Sequence, residues 1–145
     1  GKYEIPVKIK TMMQDLFDAD FCDDKETMSS IRNTFENGSY VMDTHTAVGK
    51  KVYDKYVERT GDTTKTVIAS TASPFKFNQS VLIALEDYNF VTGKDEFELL
   101  NLLEAKSGLK IPESLSELKD RTPIFDTVVE KEDMANTVSD FLKVE

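Results

Sequence analysis

The sequence runs to 145 residues, 39% hydrophobic and 31% charged, which is enough chain for one buried core. With 27 acidic against 18 basic residues, its net charge of −9 argues against binding a phosphate backbone, so no nucleic-acid partner is expected. No apolar run nears the roughly 20 residues of a membrane span, and a single cysteine and a single histidine point to a soluble, cytoplasmic protein with neither disulfide nor histidine-rich metal site.

The first helical pattern follows Pro6, with Ile9, Met12, Met13 and Leu16 on one face. A second helix starts at Asp23 or Asp24, carries Met28, Ile31 and Phe35, and stops at Asn37-Gly38. Residues 39–42 read as a short extended run. Asp43 or Thr44 then caps a third helix bearing Val48, Val52, Tyr53, Tyr56 and Val57, with Gly61 just beyond it. Residues 65–69 are rich in β-formers and predict a buried strand. Ser73-Pro74 opens a fourth helix, whose face is Phe77, Val81, Leu82, Leu85 and Tyr88. A fifth begins near Asp95 with Glu98 as its capping-box partner, and Gly108 ends it. Residues 112–118 suggest a short helix, residues 123–129 a third strand, and Met134, Val138, Phe141 and Leu142 a last amphipathic helix. The expected class is therefore α/β: helix-rich, with a small parallel sheet of two or three strands, in a single domain over residues 1–145.

Several chemistries are set aside on spacing. A calcium loop starting at Asp18 needs glycine and glutamate where the chain has Asp23 and Ser29. Cys22 sits among acids with no basic neighbour in sequence, the opposite of a thiolate nucleophile's setting. The six glycines are isolated, so there is no phosphate loop. Two segments remain, each where a predicted strand gives way to a helix, the usual ligand position in open α/β sheets. They are Asp43-Thr44-His45-Thr46-Ala47-Val48-Gly49 and Ser70-Thr71-Ala72-Ser73-Pro74-Phe75-Lys76-Phe77. Hydroxyls crowded at a helix start serve either capping or ligand contact, and the residues alone leave both open. His45 is equally open between a structural hydrogen bond and a functional one.

In this order the two segments resemble the threonine synthase family, pyridoxal-phosphate enzymes of the tryptophan synthase β fold type. The family's Asp-Pro-His-Thr-Ala-Val motif is similar to Asp43-Thr44-His45-Thr46-Ala47-Val48, with Thr44 in place of proline. Its Thr-Ala-(His or Ser)-Pro-x-Lys-Phe motif is similar to Thr71-Ala72-Ser73-Pro74-Phe75-Lys76-Phe77. Asp23 to Thr27, Tyr40 and Ile111-Pro112-Glu113 also resemble the family.

The resemblance implies the C-terminal portion of an enzyme that turns O-phosphohomoserine and water into threonine and phosphate. The family's cofactor lysine lies in an upstream His-Gly-Pro-Thr-x-Ala-Phe-Lys-Asp motif that this sequence does not contain. No catalytic residue is therefore assigned here, and no covalent hold on the cofactor is expected. A start at Gly1-Lys2 fits a cut or processed piece. By resemblance, Thr71 is the threonine near the cofactor's pyridine nitrogen, and Asp43 and His45 lie near its ring. Lys76 and Ser70 are candidates for holding substrate, Lys76 through a phosphate group or else as a solvated surface lysine. The implied partners are the remainder of the enzyme chain and a small-molecule substrate, with self-association of the piece expected through exposed strand edges. The rival reading is a non-catalytic α/β interaction or regulatory module.

Overall fold

The structure is a computed structural model, and it describes residues 2–144. Its helices are α1 (Val7–Gln14), α2 (Asp24–Gly38), α3 (Thr44–Thr60), α4 (Asn78–Leu85), α5 (Tyr88–Val91), α6 (Glu96–Ser107), α7 (Glu113–Ser116) and α8 (Met134–Leu142). Short 3-10 turns precede α4 (Pro74–Phe77), follow α7 (Glu117–Asp120) and precede α8 (Lys131–Asp133). None of the described helices is long and apolar enough to cross a membrane.

Local capping chemistry sets the helix starts. Asp23 accepts from the Glu26 N–H at 2.8 Å while Glu26 accepts from the Asp23 N–H at 3.2 Å, closing a capping box on α2. Asp95 and Glu98 do the same for α6. The start of α3 is capped by Asp43, not by Thr44. Glycines at positive φ end α3 (Gly61, φ 69°) and α6 (Gly108, φ 70°). The end of α2 departs from expectation by one residue. Gly38 is still helical, and Ser39 takes the left-handed conformation at φ 53°. The helix expected from Ser73 onward is also interrupted. A 3-10 turn precedes α4, which ends at Leu85, and Tyr88 belongs to the separate short α5.

The core forms where α2 packs on α3 and α4, and α4 packs on α6. Ile31, Ala47, Val81, Leu82, Leu99 and Leu103 are buried there. Arg32 ties α2 to the end of α4. Its Nε donates to the Ala84 carbonyl at 2.8 Å and its guanidinium to the Glu86 carbonyl at 2.5 Å. Those carbonyls have no helical partner beyond the last turn, so the guanidinium satisfies what the helix leaves open.

The expected sheet is absent: no strand occurs among the described residues, and the α/β class gives way to an all-helical one. Residues 39–42, 65–69 and 123–129 are irregular. A strand's N–H and C=O groups need a neighbouring strand, so β-forming side chains do not make a sheet where no such partner is presented. Val41 and Met42 are buried in the helical core. Val67 is 95% exposed and Val128 94%, the reverse of a buried strand.

The faces expected on α1 and α8 are also unpaired. Met12, Leu16, Met134 and Phe141 are all exposed.

Candidate functional site

The site is built outward from Asp43. Its backbone is extended (φ −71°, ψ 165°), which turns its carboxylate back over the first turn of α3. Oδ1 accepts from the backbone N–H of His45 at 2.9 Å and of Thr46 at 3.4 Å, and Oδ2 accepts from the Thr46 hydroxyl. The residue is wholly buried. Burial alone would push its pKa up. The Thr46 hydroxyl, the two backbone N–H groups and the His45 ring outweigh that and hold it below the ordinary carboxylate value.

His45 follows from the same turn. Its Nδ1 lies 3.3 Å from Asp43 Oδ1 and 3.4 Å from the Thr44 hydroxyl. One side of the ring meets Phe77, with centroids 4.8 Å apart and planes tilted by 57°. The rest of the side chain is open. The second segment joins here through Ser70. The Tyr40 hydroxyl donates to Ser70 Oγ at 3.5 Å, and Thr46 Oγ1 lies at the same distance. Residues 30 and 24 positions apart thus meet at the start of α3.

Of the five residues singled out from sequence, the structure brings Asp43 and His45 into contact and links Ser70 to Asp43 through the Thr46 hydroxyl. Thr71 is exposed beside Ser70, and its hydroxyl makes no hydrogen bond among the described residues. Lys76 is separate. It lines a cleft of about 360 Å³ with Glu96, Phe97 and Leu115, while His45 lines another of about 360 Å³ with Cys22, Thr27 and Ser80. Ser73 is occupied as a cap, accepting from the Phe75 N–H at 3.3 Å. A larger cleft of about 400 Å³ lies further along α3, but its Arg59 is paired with Asp18 at 2.6 Å.

Sequence reasoning missed Tyr40 as a partner of Ser70, and Thr27 and Ser80 as walls of the His45 cleft. These arise from contacts between distant segments, for which a lone sequence carries no spacing signal. Phe77 stood in the second motif, but its contact with His45 was not predictable from periodicity.

Comparison with known proteins agrees with the motif reading. Threonine synthase of Schizosaccharomyces pombe is 40% identical over 83 residues, covering 54% of this chain and 16% of that protein. Human threonine synthase-like 1 is 32% identical over 84 residues, covering 58% of this chain and 11% of that protein. The mouse protein of the same name is 37% identical over 73 residues, covering 50% and 9%. The match thus takes in at most 16% of the length of these relatives. Residues 46–141, from the first turn of α3 into the last turn of α8, match the family described as "Threonine synthase, C-terminal", and the chain belongs to that family.

Proposed function

We propose that this chain is the C-terminal portion of a cytoplasmic threonine synthase that converts O-phosphohomoserine and water to threonine and phosphate. The observation that carries this reading is the meeting of the two family-like segments at Ser70 and Thr46. Pyridoxal phosphate, when bound, supplies an electron-withdrawing ring that stabilises negative charge on a substrate carbon.

The donor set here suits the ring end of that cofactor. The free Thr71 hydroxyl can donate to a pyridine nitrogen without charging it, which moderates the ring's pull on electrons. The same set does not suit the cofactor's phosphate. The start of α3, a natural anion site, is filled by the Asp43 carboxylate. Ser70, next to Thr71 in the chain, adds a second hydroxyl, while His45 and Lys76 line two other clefts, and Lys76 is the candidate cation for a substrate phosphate. The lysine and the phosphate cradle belong to the remainder of the enzyme, which is also the proposed cover for the apolar faces of α1 and α8.

The test is Thr71→Val in the complete enzyme. Thr71 is exposed, so folding should be unaffected. Cofactor absorption should shift and turnover fall by roughly 10-fold or more, the scale of one lost hydrogen bond to a reacting system. An unchanged spectrum and rate would overturn the reading. The 145-residue chain alone should release no phosphate from O-phosphohomoserine.

A further inference from the structure

We propose that Asp43 acts as the positioning residue for His45, fixing the proton on Nδ1 so that Nε2 is an open acceptor for a neutral or cationic hydrogen-bond donor. A buried carboxylate that already takes two backbone N–H groups and a hydroxyl is acceptor-only when ionised. Its Oδ1 faces His45 Nδ1 at 3.3 Å. Two lone pairs cannot face each other there, so Nδ1 carries the hydrogen. The Thr44 hydroxyl, 3.4 Å from the same nitrogen, can share that hydrogen as a second acceptor. Phe77 packs against the ring and opposes its rotation. The neutral imidazole is then left with its lone pair on Nε2, the atom remote from Asp43.

The surroundings select the occupant's charge. The cleft that His45 lines is bounded by Cys22, Asp24, Thr27 and Met28 on the α2 side and by Ser80 of α4. Asp24 is its one carboxylate, and no lysine or arginine lines it. With Asp43 behind the ring, the local field is negative. It favours water, a hydroxyl or an ammonium group and disfavours phosphate. This assignment stands whatever reaction the longer enzyme performs.

The chain has one histidine, so a long-range proton–nitrogen spectrum of the labelled protein shows a single imidazole. At about pH 9, well above the ordinary histidine range, the wild type should show a protonated Nδ1 and an unprotonated Nε2. Asp43→Asn keeps an oxygen to cap α3, yet its amide can donate, so the tautomer should move toward protonated Nε2. A wild-type spectrum with the proton on Nε2 would sink the proposal by itself, even if the variant failed to fold. An unshifted tautomer in a folded Asp43→Asn chain would sink it equally. Adding inorganic phosphate should leave the imidazole signals in place, and a saturable shift would overturn the assigned class of occupant. None of these results bears on Thr71, so failure here leaves the reading of the enzyme standing.

Discussion

Asp43 shows how one side chain holds a site together. Two backbone N–H groups and a hydroxyl donate to its carboxylate and favour the charged form out of solvent. Asp43→Ala would strip the cap and leave those donors unpaired, costing about 2–3 kcal/mol in urea unfolding. The pH dependence has a definite sign. A native pKa below the ordinary 3.8 contributes stability that is complete above the unfolded value. It is lost as pH falls through the lowered native value. Urea midpoints should be flat from neutral pH to about 4 and then drop. Asp18 and Glu26 are also held low, by Arg59 and Lys55, in pairs that are exposed and half-buried respectively. Asp43→Asn should therefore flatten the acid slope without abolishing it. At this scale the sequence was legible where chemistry is local. Aspartate before a helix reads as a cap, and Asp43 is one. Its partner in space, the second segment through Ser70, was not written in any spacing.

The helices record the same division. Capping boxes at Asp23 and Asp95 and the stops at Gly61 and Gly108 sit where turn chemistry places them. At the end of α2 the glycine lies one position early, and Ser39 bears the left-handed backbone instead. Ser39→Gly should relieve that strain and stabilise the fold by about 1 kcal/mol, read as a raised thermal midpoint. Arg32 acts between elements, closing the carbonyls at the end of α4. Arg32→Ala should cost about 2 kcal/mol. Arg32→Lys should restore little, because an ammonium lacks the fork that reaches two carbonyls. Measured melts in which lysine substitutes fully would show that the charge, not the geometry, matters.

Across the whole molecule, burial is concentrated in the middle of the chain. Phe125 and Phe141 meet edge-on at 6.2 Å yet stay exposed, as do Leu16, Phe17 and Phe21 at the other end. So much apolar surface is unusual for a free monomer. The 145-residue chain is expected to self-associate, with its weight-average mass in sedimentation equilibrium rising with concentration. Phe141→Glu should weaken that association and leave the melting temperature nearly unchanged, since the side chain lies outside the core. A strictly monomeric wild type would contradict this.

The starts of α2, α3 and α6, the stops of α3 and α6, the apolar residues of α2, α4 and α6, and the resemblance to threonine synthase were determined by the sequence itself, because each rests on neighbours a few positions apart. The sheet was not. Val67 and Val128 have strand-like side chains, but strand formation depends on a partner's backbone, which propensity does not contain. Only the tertiary structure decided that these segments stay unpaired among the described residues, that Arg32 closes α4, that His45 meets Phe77, and that Thr46 meets Ser70. Those contacts join residues far apart in the chain, and they exist only once α2, α3 and α4 have packed on one another.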